Sequence, residues 1–194
     1  MTLGQFFFKN RSYAPIPFLI PLFLIGRPTV MSMGIGIIIV LFGEFLRIWG
    51  VSYAGSETRT TKVGGTNLVT QGPFSYIRNP LYAGNMIIYL GVGIMGYTLF
   101  FPYFQIIGLA YFYFQYYYII KDEEDFLRKK FKEKYDDYFG SVPSIFPNFH
   151  SYELTKQSKI KQNIREALRS EKRTFEATSL TIFLILLIFI LIHQ

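Results

Sequence analysis

No cysteine occurs in this 194-residue chain, so disulfides, thiolate metal sites and cysteine nucleophiles are excluded together. Imidazole is almost as scarce. The two histidines, His150 and His193, stand far from any second ligand-type cluster, and metal catalysis is not expected. The first apolar run carries Pro15, Pro17 and Pro21 and is followed by no small-residue cleavage site, so it does not read as a signal peptide. No strand, Gly-x-Gly-x-x-Gly and helix follow one another, which closes the soluble dinucleotide-fold route to an adenosine cofactor. Between Leu109 and Phe139 there is neither glycine nor proline, and one continuous helix is expected there.

What the chain has is apolar surface. With 51% hydrophobic and 19% aromatic residues it departs from an ordinary soluble domain. The net charge of +7 does not point to nucleic acid, because the basic residues border apolar segments, as membrane topology requires. A single all-α membrane domain over 1–194 is expected, with about five transmembrane helices and a cytosolic helical cap. Residues 13–54 read as an N-terminal helical hairpin, 66–147 as the core, and 157–194 as a basic amphipathic helix plus a last span. The spans fall at 13–26, 29–46, 80–98, 109–120 and 174–193. Placing the N-terminus and the loops 47–79 and 121–173 in the cytosol leaves only Arg27, of 20 Lys and Arg, outside. In the second span Glu44 has Arg47 one turn on, and a local pair between them is the simplest expectation.

One stretch organises the rest. Gly72-Pro73-Phe74-Ser75-Tyr76-Ile77-Arg78-Asn79-Pro80-Leu81-Tyr82 lies where a polar loop ends and an apolar segment begins. Pro80 reads as the first helical residue and Asn79 as its N-cap. Arg78 then stands at the membrane mouth beside a helix start that favours anions, as an anion clamp or as a topological anchor. Farther on, Leu127, Phe131, Tyr135 and Tyr138 recur at helical spacing, with Glu124 on that face and Glu123 at its edge. Carboxylates turned toward a packed side need a polar partner there.

Together these strings, with Leu68-Val69 before them and Val142-Pro143 and Pro147 after, resemble the isoprenylcysteine carboxyl methyltransferase and phospholipid methyltransferase family over about residues 66–147. The resemblance implies an integral membrane enzyme using S-adenosylmethionine on a lipid-like acceptor. It carries cofactor contacts to Leu68, Val69, Phe74, Asn79, Pro80, Leu81, Tyr82 and Glu123; beside them Arg78 is expected to pair with a carboxylate of the cofactor, and Arg78 and Glu124 are the expected catalytic residues. Two positions depart from the family pattern: Asn79 stands where histidine is common, and Ile119 where the prenylcysteine enzymes carry an arginine. Asparagine cannot carry a proton, and a prenylcysteine carboxylate is the less favoured substrate. NADPH-dependent sterol reductases share comparable strings; there Arg59, Lys62 and the 159–173 segment would meet the extra phosphate. A non-enzymatic membrane adaptor is the third reading.

Overall fold

The computed structural model describes residues 1–55, 67–153 and 160–193. Among these the fold is all helical. Seven α-helices follow in order: α1 Leu3–Asn10, α2 Ile16–Ile25, α3 Val30–Ala54, α4 Pro80–Gly96, α5 Tyr103–Phe131, α6 Glu133–Ser141 and α7 Ile164–Ile192. A 3-10 turn at Gly72–Ser75 precedes α4. Two helices, α3 and α7, are long and apolar enough to cross a membrane, and α2 and α4 are shorter apolar helices. Large apolar side chains stand exposed along them, including Ile38, Leu41 and Phe45 on α3 and Leu180, Phe183 and Leu191 on α7. Such continuous uncovered apolar surface suits lipid rather than water.

The α3–α4 pair is the spine, and glycine makes it. Gly36 and Gly43 on α3 face Gly91 and Gly84 on α4, so the two backbones approach until carbonyls meet α-carbons. A Cβ on Gly91 would stand 2.8 Å from Gly36 O and 2.7 Å from Val40 Cγ2. Small-residue faces of this kind let membrane helices close without side-chain intermediaries. Gly91→Ala is therefore expected to force the pair apart and lower stability by about 1–3 kcal/mol, read as a fall in thermal midpoint in detergent.

Helix α1 lies ahead of the first expected apolar segment. Thr2 and Gln5 form a reciprocal capping box, with both bonds at 3.1 Å. Phe8 is then buried against Phe112, Tyr116, Ile119 and Ile120 of α5.

Two expected helices are redrawn. The run 109–139 is not continuous: α5 begins at Tyr103, passes Gly108, and breaks at Lys132, whose φ is +50°. A lysine held at positive φ outside the allowed regions costs roughly 1–3 kcal/mol. The break swings α6 so that Tyr135 and Tyr138 bury with Val142 against Leu68, Leu127 and Phe131. Burial of two tyrosines outweighs the local strain, and no glycine or proline marks the place. The amphipathic helix expected at 157–173 is not separate from the last span either. Helix α7 starts at Ile164, where Asn163 Oδ1 accepts from Glu166 N at 3.1 Å, and runs unbroken for 29 residues. The change from basic to apolar composition near residue 174 marks a change of surroundings, not of backbone.

After α6 the strap 142–153 ties down the segment before α4. Pro143 O and Ser144 O accept from the amides of Arg78 and Asn79 at 2.9 and 3.1 Å, while Asn148 N and Tyr152 N donate to Tyr76 O and Ser75 O.

Candidate active site

The segment leading into α4 is rigid by construction. Gly72 has φ +64° and packs its α-carbon onto the Tyr53 ring, where a side chain has no room. Ser75 Oγ closes the turn on Gly72 O at 2.7 Å, and Tyr138 Oη donates to Phe74 O at 2.7 Å.

Arg78 is held from several sides. Its Nε donates to Glu124 Oε1 at 2.9 Å and its Nη1 to Phe139 O at 2.8 Å and to Val142 O. The guanidinium also stacks on the Phe139 ring at 4.1 Å. Its Nη2 has no hydrogen-bond partner among the described residues. Asn79 occupies the N-cap position, with its carbonyl accepting from Ala83 N, but its side chain makes no cap bond. Nδ2 turns instead to Glu124 Oε1 and Ser144 Oγ, both at 3.1 Å. Proline at the first helical position already removes one amide that a cap would serve, and a bond to a carboxylate outweighs a neutral one.

The adjacent carboxylates of α5 diverge, since successive helical residues point about 100° apart. Glu124 is taken up by Arg78 and Asn79. Glu123 lines a cavity of about 840 Å³ and accepts from Tyr82 Oη at 3.0 Å. Burial pushes its carboxyl up to about 7, against the opposing pull of the Tyr82 hydrogen bond and the Arg11 charge.

That cavity gathers the expected cofactor residues. Leu68, Val69, Phe74, Arg78, Asn79, Pro80, Leu81, Tyr82 and Glu123 all line it; Glu124 does not. Ile16 and Leu19 of α2, Val92 of α4 and Thr181 of α7 line it as well, and Ile16 is 46% exposed. Arg59 and Lys62 lie outside the described residues. Among the described residues, no three His, Asp or Glu side chains are grouped to hold a metal ion.

Several lining residues escape a sequence reading. Arg47 does not turn to Glu44: its Nε and Nη2 donate to Glu171 Oε2 at 3.0 and 2.6 Å, and its Nη1 to Asn85 Oδ1. Glu44 Oε1 accepts from Thr178 Oγ1 at 2.9 Å. Both acidic side chains thus dock α7 against the bundle. Glu171 sits in a basic run that reads as surface, so nothing local announces its burial. Asn85, a polar residue inside an apolar helix, is the signal that was legible. Arg11 also lines the cavity, with its guanidinium 3.8 Å from the Phe8 ring centre.

Over 126 residues the chain is 31% identical to the cobalt-zinc-cadmium resistance protein CzcN of Cupriavidus metallidurans, covering 64% of this chain and 52% of that protein. It is 32% identical over 113 residues to the nickel-cobalt-cadmium resistance protein NccN of Alcaligenes xylosoxydans xylosoxydans, covering 58% and 48%. The chain therefore spans about half the length of the curated relatives it matches. The phospholipid methyltransferase family model matches residues 31–134, a stretch that takes in the α3–α4 spine, the Arg78-Asn79-Pro80 motif and both carboxylates of α5, and the chain belongs to that family.

Proposed function

We propose that this chain transfers a methyl group from S-adenosylmethionine to a lipid-like acceptor at the cytosolic face of a membrane. The observation that carries the reading is one cavity that joins aromatic and carboxylate side chains of α4 and α5 to apolar ones of α2, with Ile16 exposed at its edge. Its volume falls within the roughly 300–1,000 Å³ of small-molecule sites. The residues suit the cofactor: Glu123 keeps Oε2 without a partner among the described residues, and that oxygen can take an ammonium or ribose hydroxyl. Leu68, Val69 and Phe74 offer an apolar wall for an adenine.

When bound, S-adenosylmethionine supplies an electrophilic methyl on a cationic sulfonium. The protein's part is placement. Glu123 opposes positive charge from the cavity wall and is itself oriented by Tyr82. Asn79 holds Glu124, Glu124 holds Arg78, and Arg78 fixes the mouth of α4. The apolar walls exclude water, which strengthens each of these charges. With such positioning, methyl transfer needs no protein nucleophile, because proximity and in-line approach supply much of the acceleration.

Calorimetry on the detergent-purified protein tests the reading. S-adenosylhomocysteine is expected to bind and NADPH not to; the reverse pattern would favour the sterol-reductase alternative, and silence from both the adaptor.

The same reading places five spans with the N-terminus and 121–173 in the cytosol. Lys129 and Lys161 are exposed, and the chain has no native cysteine to interfere. Cysteines introduced at both should react with an impermeant thiol reagent only from the cytosolic side; labelling of either from the opposite side overturns the topology.

A further inference from the structure

A directed chain of hydrogen bonds runs along the wall of the cavity away from Glu123. Arg47 Nη1 donates to Asn85 Oδ1, Asn85 Nδ2 donates to Tyr116 Oη at 3.0 Å, and Tyr116 Oη lies 3.3 Å from Tyr89 Oη. Chemistry fixes its direction. A guanidinium only donates, so Asn85 must present its oxygen to Arg47 and its amide hydrogens to Tyr116. Asn85 takes one lone pair of the Tyr116 hydroxyl, and the Tyr116 hydrogen goes to Tyr89, its acceptor among the described residues. Tyr89 is then left with a hydroxyl hydrogen that has no acceptor among the described residues. Each bond in such a chain polarises the next, and this one starts at a cation. Arg47, Asn85, Tyr116 and Tyr89 all line the cavity.

We propose that Tyr89 is the specificity-determining donor for the acceptor, hydrogen-bonding an anionic oxygen in the head of an amphiphile, with Tyr116 and Asn85 as positioning residues behind it. A donor at the end of a cationic relay prefers a carboxylate or phosphate oxygen to an ammonium, which has no lone pair to offer. The wall charge agrees in sign: Arg47 is paired with Glu171 and Arg78 with Glu124, and beyond those two pairs the described lining carries Arg11 and Arg173 against Glu123. Tyr89 lies one turn before Val92 on α4, and both line the cavity shared with Glu123 and with the exposed Ile16, so the head of a lipid entering past Ile16 meets the wall that carries Tyr89. Assigning the amphiphile as methyl acceptor rests on the function proposed above; the relay itself does not.

The test uses the full chain in neutral detergent and three twelve-carbon amphiphiles as probes: dodecanoate, dodecyl phosphate and dodecyltrimethylammonium. Calorimetry should show both anions bound more tightly than the cation, and the better anion separates carboxylate from phosphate chemistry. Tyr89→Phe keeps the ring and is expected to weaken anion binding by roughly tenfold, leaving the cation and S-adenosylhomocysteine unchanged. Tyr116→Phe keeps the Tyr89 hydroxyl but removes its polarising neighbour, and a smaller loss confined to the anions should follow. Unaltered anion binding in Tyr89→Phe overturns the proposal, as does an equal loss for anion and cation or tighter cation binding by the wild type. If S-adenosylhomocysteine fails to bind while the Tyr89-dependent anion preference persists, the methyl-transfer reading falls and the donor site stands.

Discussion

Glu123→Gln is expected to make the protein more stable at pH 8 while weakening S-adenosylhomocysteine binding about ten- to a hundredfold. Burial raises the folded carboxyl from its ordinary 4.5 to about 7, so the folded protein holds a proton that the unfolded chain releases. The stabilising contribution of that proton is complete below pH 4.5. It disappears as pH rises through 7, and at pH 8 the wild type carries an ionised carboxylate in a desolvated site. The lifted penalty is on the order of 3 kcal/mol, an upper figure for the gain in Glu123→Gln at pH 8, and near zero at pH 4. Glutamine still accepts from Tyr82, so the wall keeps its shape. What is lost is a charge-assisted bond, worth about 1.5–3 kcal/mol.

A pH dependence follows in the wild type itself. S-adenosylhomocysteine affinity should fall between pH 8 and pH 6, as Glu123 takes up its proton, and binding near neutrality should release one. Calorimetry in buffers of different ionisation enthalpy reads that proton directly. Equal affinities in wild type and Glu123→Gln across this range would remove Glu123 from the site.

Much of this site was legible because its signals are local. Proline at position 80 starts α4, and the Glu123-Glu124 pair precedes a run of apolar and aromatic residues at helical spacing; the cavity gathers all nine expected cofactor residues. The missed features depend on partners far away in sequence. Arg47 prefers Glu171, 124 residues on, to Glu44 within its own helix. Nothing in either neighbourhood encodes that choice, which arises from where α7 crosses α3. The break at Lys132 is of the same kind: its driving force is the burial of Tyr135 and Tyr138 under Leu68, and the lysine carries no mark of it. Helix α1 is different. Its Thr2-x-x-Gln5 capping signal was present in the sequence, but eight residues are too few to stand out by periodicity.

Arg78→Lys carries the second large effect, and it distinguishes a strut from a clamp. The guanidinium joins three parts of the chain: α5 through Glu124, the end of α6 through Phe139 O, and the strap through Val142 O, with the Phe139 ring beneath it. A planar fork reaches these partners together; an ammonium on a flexible stem does not. The pair is largely buried, with side-chain exposures of 9% for Arg78 and 15% for Glu124. Truncation to alanine, which strands Glu124, should therefore cost about 3–5 kcal/mol. Lysine keeps the charge and should cost roughly 1.5–3 kcal/mol, the worth of one lost charged hydrogen bond. Glu124→Gln removes the partner without altering the cavity wall. It should lower the thermal midpoint yet leave S-adenosylhomocysteine affinity within about twofold, since a bond to charge is weakened but the donors keep an oxygen. In Arg78→Lys, midpoint and affinity should fall together, because the free Nη2 edge at the cavity is lost along with the strut. A midpoint unchanged in Arg78→Lys would refute the strut. A lowered midpoint with wild-type affinity would confine Arg78 to holding the mouth of α4, leaving the cofactor carboxylate to the other cations of the wall, Arg11 foremost.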